Sequence, residues 1–162
     1  CAGCYRTIKK DWPKFVGELP FEVVHISQYL KDLISKGKIE FKKDLDKKVT
    51  YHDPCHLGRA MGVYKEPRAV LKAIPGLELV EMYPTKHAAW CCGAGGGVKA
   101  SNPDLALDIG MEKIPQVKET GASVLTSSCP FCKTNLIDVI EKAKEQIEVK
   151  DITELVAEPM GI

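Results

Sequence analysis

Apolar positions along the chain fall into two rhythms, short β-branched runs and longer stretches at helical spacing. Five runs read as strands: Phe21–Ile26, Val49–His52, Leu77–Glu81, Ser123–Thr126 and Ile147–Val149. The stretches between them read as helices. Cys4–Trp12 is expected to be a short helix stopped by Pro13, because a residue before proline avoids the helical region. Ser27 fits a helix N-cap, Tyr29, Leu30, Leu33 and Ile34 form a stripe, and Gly37 fits the position just past the end. The charged run Lys36–Lys48 reads as a solvated connection. Pro67–Ile74 predicts a helix with proline in its first turn, ended by Pro75-Gly76. Asp104–Ile114 places Leu107, Met111 and Ile114 on one face, and Pro115 is expected to end or kink that helix. Pro130–Lys144 carries the clearest stripe, in Leu136, Val139, Ile140 and Ala143, and Ile152–Ala157 predicts a last helix.

Strands alternating with helices predict an α/β fold: a parallel, Rossmann-like sheet with helices on both faces. No internal repeat is present. The 162 residues are the size of one domain, long enough to bury roughly 70% of the unfolded surface without a staple. A 44% hydrophobic and 28% charged composition excludes a disordered chain. Lys+Arg 23 against Asp+Glu 22 leaves no electrostatic footprint for nucleic acid. The chain opens on Cys1, has no signal peptide and has no apolar run near the ~18 residues needed to cross a bilayer. A soluble, cytoplasmic piece, the C-terminal part of a longer protein, is the expectation.

Seven cysteines are too sparse for a disulfide scaffold, and their number is odd. They run Cys1-x-x-Cys4, Cys55, Cys91-Cys92 and Cys129-x-x-Cys132. Thiolates bind iron or zinc where several converge. Cys55 follows the strand at Val49–His52, Cys91-Cys92 come a loop after Leu77–Glu81, and Cys129 follows Ser123–Thr126. In a parallel sheet the carboxyl ends of the strands open on one edge, so five cysteines are expected in one crevice there. Cys129 precedes a helix start, where free N–H groups favour a thiolate. Gly93 and Gly95, in the run Gly93–Gly97, allow close approach of the backbone to a bulky group and offer N–H donors to its sulfurs. That run is not a nucleotide loop: Val98 stands where a Gly-x-Gly-x-x-Gly pattern requires glycine, and no Gly-Lys-Ser/Thr follows. A set of merely buried apolar thiols is the bland alternative.

Three segments, Asp53-Pro54-Cys55-His56-Leu57-Gly58-Arg59, Cys91-Cys92-Gly93-Ala94-Gly95-Gly96-Gly97 and Ser128-Cys129-Pro130-Phe131-Cys132, resemble the second CCG cysteine-rich module of heterodisulfide reductase catalytic subunits of the D and B type. The resemblance covers nearly the whole chain. It implies a non-cubane [4Fe-4S] cluster held by Cys55, Cys91, Cys92, Cys129 and Cys132. It further implies that residues 1–48 are the tail of an upstream module plus a connection, with Cys1 and Cys4 left from an incomplete second site, and that 49–162 form the complete module. The implied role is electron transfer to a disulfide-type small molecule. The implied partners are other subunits of a redox complex, membrane-associated through one of them. The fragment alone is expected to be inactive.

His56 and Arg59 are candidates for hydrogen bonds to cluster sulfurs or for holding a substrate anion, and His52 is a weaker one. His25 is expected only to end the first strand, Trp90 to pack over the site, and His87 lies before the cysteine pair. Two other readings of the cysteines stand beside the iron–sulfur one. Four thiolates around Zn²⁺ would make a structural module, with one cysteine spare. Cys129-Pro130-Phe131-Cys132 before a helix resembles a glutaredoxin dithiol, but only 30 residues follow Cys132, and that reading leaves Cys55, Cys91 and Cys92 unexplained.

Overall fold

The computed structural model describes residues 1–162. Its centre is a four-stranded, all-parallel sheet in the order β2-β1-β3-β4, formed by Lys47–His52 (β1), Leu77–Val80 (β2), Val124–Ser127 (β3) and Glu148–Asp151 (β4). β1 and β3 are the interior strands, and every β3 residue is buried. In register, Val49 faces Val124, Thr50 faces Leu125, Tyr51 faces Thr126 and His52 faces Ser127.

Alternation along these strands sends side chains into two layers. Val49, Tyr51 and Val124 pack with Val70 and Leu71 from α4 (Lys65–Ala73), with Ile74 just past its end, and with Ile152, Leu155 and Val156 from α9 (Ile152–Met160). Leu125 points to the opposite layer, beside Val117 from α7 (Lys113–Thr120) and Leu136 from α8 (Pro130–Ala143). Cys92, Cys129 and Cys132 belong to that second core, as do Ala2 and Tyr5 from α1 (Ala2–Arg6). Fully burying one such aliphatic side chain contributes about 1.5–3 kcal/mol, so the cysteine region shares the energetics of the core.

Helix boundaries follow local chemistry. α9 begins with a capping box between Asp151 and Glu154 and ends at left-handed Gly161. α6 (Pro103–Met111) is capped by Asn102, whose side chain accepts from Leu105 N–H at 3.1 Å. α8 starts with Cys129 at the N-cap and Pro130 in its first turn. The short α2 (Pro13–Val16) and α5 (Val98–Ser101) complete the set, together with α3 (Ile26–Ser35).

Four expectations need correction. Phe21–Ile26 is not a strand: Val23 and His25 turn inward while Phe21, Val24 and Ile26 stay exposed, but the segment pairs with no sheet edge. Period-two burial marks extended backbone; hydrogen bonding to a neighbour makes it a strand. His25 therefore ends no strand. It caps α3 instead of Ser27, in a capping box with Gln28. Pro13 does not stop the first helix outright, for Ala2–Arg6 continues as a π-helical turn through Thr7–Asp11 and Pro13 opens α2. Pro115 breaks the helical run as expected: α6 ends at Met111, the chain resets at Glu112, and Pro115 sits in the first turn of α7, where its missing N–H has no partner to lose.

Candidate metal centre

β1 and β3 lie side by side, yet the chain leaves β1 toward β2 on one flank and leaves β3 toward β4 on the other. The strand order reverses between them, and in open α/β sheets ligands bind in the crevice at that switch point. Both strands run straight into a cysteine loop: Asp53-Pro54-Cys55 after β1, Ser128-Cys129 after β3. The third limb, Cys91-Cys92, lies in the long connection after β2.

The structure brings all five thiols together. Cys55 neighbours Cys91, Cys91 neighbours Cys92, Cys92 neighbours Cys132, and Cys132 neighbours Cys129, each close enough to shift the other's titration. The Cys92 and Cys132 sulfurs are 3.3 Å apart, and none of the five is in a disulfide. Charge along this row is uneven. Hydrogen bonds from the Cys55 and Cys92 thiols, together with Gly93 N–H at 3.4 Å, hold Cys91 far below the ordinary thiol range. Cys129 is pushed down to about 5 by the Cys132 thiol and, despite burial, by the backbone N–H groups of Cys132, Ala2 and Phe131. The donors move the other way. Cys55 is raised by its bond to Cys91 and by burial, and Cys132 by its bonds to Cys129 and Cys92. Cys92 receives a bond from Cys132 that lowers it, but the bond it gives Cys91 and its burial leave it at about 11. Cys91 and Cys129 are thus the two held toward the thiolate, the form that binds metal.

Two ties hold the loops in this arrangement. Buried Arg68 grips Asp53 with a two-pronged pair of hydrogen bonds, both 2.8 Å, and also reaches Glu81 and the Thr85 hydroxyl. Asp53 accepts a further bond from Lys86 N–H at 2.8 Å. Burial alone would raise the Asp53 carboxyl; the Arg68 guanidinium outweighs it and holds the group below the usual range. The turn bearing Cys55 is thereby fixed to the segment that leads to Cys91. Asn135, fully buried on α8 three residues past Cys132, donates to Cys92 C=O at 2.6 Å and to Ala106 C=O at 3.1 Å.

A cleft of about 180 Å³ opens beside the thiols, lined by Cys55, Cys92, Cys129 and Cys132 with Cys1, His56 and Gly95. His52 is buried under it. Its ring nitrogen and the Cys92 and Cys132 sulfurs all lie within 4.8 Å of one another, and its Nδ1 has no hydrogen-bond partner. Burial, then the charge of Lys113, pushes His52 down to about 3 and keeps it neutral. The donor set, with five convergent sulfurs, an orphaned buried nitrogen and a cleft larger than one ion, fits a multi-atom metal group.

The other candidates separate. His56 is at the cleft, its Nδ1 near Gly3 of α1. Arg59 is exposed and donates to Ala89 C=O at 3.2 Å, tying the Cys55 turn to the residues before Cys91. Cys1 reaches the cleft mouth, whereas Cys4 is exposed and lines no part of it. Trp90 does not pack over the thiols: it is half-exposed beside Tyr83, Pro84 and Glu112, because its chain direction turns it outward where Cys91 turns in. His87 is exposed. Sequence reading missed Arg68, Asn135 and Lys113. Asn135 carried a signal, since it lies at i+3 from Cys132 on a predicted helix; Arg68 did not.

The family model for the CCG cysteine-rich domain matches residues 49–137, and the chain belongs to that family. It is 56% identical over its whole length to the D-type subunit of the dihydromethanophenazine:CoB–CoM heterodisulfide reductase of Methanosarcina acetivorans, covering 40% of that protein. It is 42% identical, over 96% of its length and 30% of the relative, to the B-type subunit of the CoM/CoB fumarate reductase of Methanothermobacter marburgensis. A probable iron-sulfur-binding oxidoreductase of Bacillus subtilis is 37% identical over 95% of the chain and 22% of the relative. The chain therefore spans less than half the length of these relatives. No helix is long and apolar enough to cross a membrane.

Proposed function

We propose that the chain is the iron–sulfur redox module of a heterodisulfide-reductase-like oxidoreductase, with Cys55, Cys91, Cys92, Cys129 and Cys132 holding a non-cubane [4Fe-4S] cluster. The observation that carries this reading is the unbroken row of five thiols at the switch point, beside a cleft of about 180 Å³. A structural zinc ion takes four ligands in a closed tetrahedron and would leave both a thiol and the cleft without a purpose. When bound, such a cluster supplies one-electron transfer.

The chain's own residues do the rest. Cys91 and Cys129 enter the site already inclined to the thiolate form, and the N–H groups of Gly93 and Ala94 donate to the Cys91 and Cys92 sulfurs. Asp53, Arg68 and Asn135 hold the three loops at fixed separation. The cleft mouth at Cys1 and His56 admits a disulfide-type small molecule to the sulfurs. The relatives' names, which are those of reductase subunits, support work beside other subunits of a redox complex; in this reading one of those subunits is membrane-associated and the module works in the cytoplasm. Residues 49–162 are the complete module and 1–48 the tail of an upstream one, so the chain alone is inactive in disulfide reduction.

The test is iron and sulfide analysis with visible spectroscopy on anaerobically prepared protein. About four irons per chain and a brown chromophore are expected, and a Cys1→Ala, Cys4→Ala double variant should retain both. A colourless, zinc-loaded chain would overturn the cofactor, and loss of iron in the double variant would overturn the ligand set.

A further inference from the structure

β1 ends at His52, the last residue before the Asp53-Pro54-Cys55 turn. Side chains alternate along a strand. Val49 and Tyr51 pack toward α4 and α9, so His52 points to the opposite layer, where Cys92, Cys129 and Cys132 lie. The residue is 1% exposed. A ring nitrogen of His52 and the sulfurs of Cys92 and Cys132 lie within 4.8 Å of one another, yet Nδ1 bonds to neither sulfur nor to any other group. The neighbouring groups are committed elsewhere. Asp53 is gripped by Arg68, and Ser127, the strand partner, donates its hydroxyl to His52 C=O at 3.2 Å. Burying a polar atom without a partner costs stability, and a ring nitrogen, unlike a hydroxyl hydrogen, cannot turn to find one. Such an atom is an exception among buried polar groups and marks a place where a role beyond packing is expected.

We propose that His52 is a sixth residue of the cysteine centre, one that donates its Nδ1–H from beneath to a sulfur of the bound iron–sulfur group and so raises the group's reduction potential. The inference rests on the iron–sulfur reading of the site. A neutral imidazole carries one N–H, and this role fixes it on Nδ1. A donor on sulfur favours the reduced, more negative state, and hydrogen bonds to the sulfurs are among the levers that set such potentials. Removing the ring therefore acts oppositely on the two states of the chain. The metal-free fold loses an unpaired buried polar atom, whereas the loaded centre loses a hydrogen bond.

Three proteins decide it: the wild type, His52→Leu, which has similar bulk and no donor, and His52→Asn, whose amide nitrogen can stand near the place of Nδ1. In anaerobic redox titration of the iron-loaded chains, His52→Leu should have a more negative midpoint than the wild type, and His52→Asn should recover most of the shift. With ¹⁵N-labelled histidine, pulsed EPR of the paramagnetic loaded chain should show a weak nitrogen coupling in the wild type that His52→Leu lacks. The metal-free His52→Leu chain should unfold at a urea midpoint equal to or above that of the wild type. Equal potentials in all three proteins would overturn the proposal, and an equal shift in both variants would do so by assigning the effect to lost shape. A coupling strong enough for a direct iron–nitrogen bond, no coupling at all, or a lower urea midpoint in metal-free His52→Leu would overturn it too. Should His52→Leu fail to load, loss of the wild-type coupling in His52→Asn supports the assignment and its survival refutes it. A wild type that takes up no iron would overturn the proposed function and this inference with it, whereas a loaded wild type with unmoved variants overturns the inference alone.

Discussion

Gly93→Ala should dismantle the centre through a single methyl group. Gly93 has φ +94°, and a Cβ placed on it would lie 2.0 Å from Ala106 C=O and 3.1 Å from Asn135 Nδ2. The first contact is with helical backbone in α6, and Ala106 is fully buried, so α6 has nowhere to retreat. The loop carrying Cys91 and Cys92 must move instead. Backbone strain at positive φ costs about 1–3 kcal/mol. Displacing the loop also endangers the 2.6 Å bond from Asn135 to Cys92 C=O, worth about 1 kcal/mol net. A loss of about 3 kcal/mol follows, together with a shift of two sulfurs by enough to loosen a site that tolerates only about 0.5 Å. Gly95→Ala is the control: a Cβ there meets nothing within 4 Å and φ is not positive, so its effect should stay within about 0.5 kcal/mol. Urea unfolding of the metal-free chains and iron retained by the loaded ones measure both. Equal behaviour of the two variants, in either assay, would refute this account of the loop.

The remaining predictions concern the ties around the site. Arg68→Met leaves Asp53 buried without its partner and should cost about 3–5 kcal/mol, read as a lower urea midpoint with reduced iron retention. The lowered Asp53 carboxyl contributes stability above its unfolded value of ~3.9, lost as pH falls below that value, and Asp53→Asn should flatten this acid limb in thermal melts. His25 is buried, which pushes it down to about 4, so between its unfolded value of ~6.5 and pH 4 the unfolded chain takes up a proton that the folded chain refuses. His25 should by itself contribute about 3 kcal/mol to the fall in stability of the metal-free chain as pH drops through that window, beside the contribution of His52, held lower still by burial, and a His25→Gln variant should show a shallower fall. Asn135→Leu removes the side-chain donor shared by Cys92 C=O and Ala106 C=O and should cost about 1–3 kcal/mol, with greater loss of iron than Thr134→Ala, whose hydroxyl only back-bonds to Pro130 C=O on an exposed turn.

Periodicity made the sheet legible, because β1, β2, β3 and β4 each combine β-branched residues with a boundary that glycine, proline or a cap enforces. It failed at Phe21–Ile26, where the alternation was real but no strand edge stood near to pair with it. The meeting of the cysteines was legible for a topological reason: each candidate followed a strand, and parallel strands share one carboxyl edge. Their supports were not. Arg68 sits among exposed-looking helix positions, and only the return of Glu81 and Thr85 to its side makes it a buried clamp. Gly93 was read as making room for a bulky group, whereas the close neighbour is the backbone of α6. Lys113 interrupted no stripe strongly enough to mark it as interior.

The spacing of the thiols has a consequence for how the chain is tied as a knotless string. Cys55 and Cys91 are 36 positions apart, and Cys92 and Cys129 are 37. A group bonded to all three loops closes two rings of similar girth, and each closure withdraws about 4 kcal/mol of freedom from the unfolded chain by the entropy of ring formation. Loading would then act as a three-point rivet at one end of the sheet only. Amide protons at the carboxyl ends of β1 and β3 should slow in exchange with solvent, while those at Lys47 and Val124, at the far end of the same strands, keep the pace set by sheet hydrogen bonds alone.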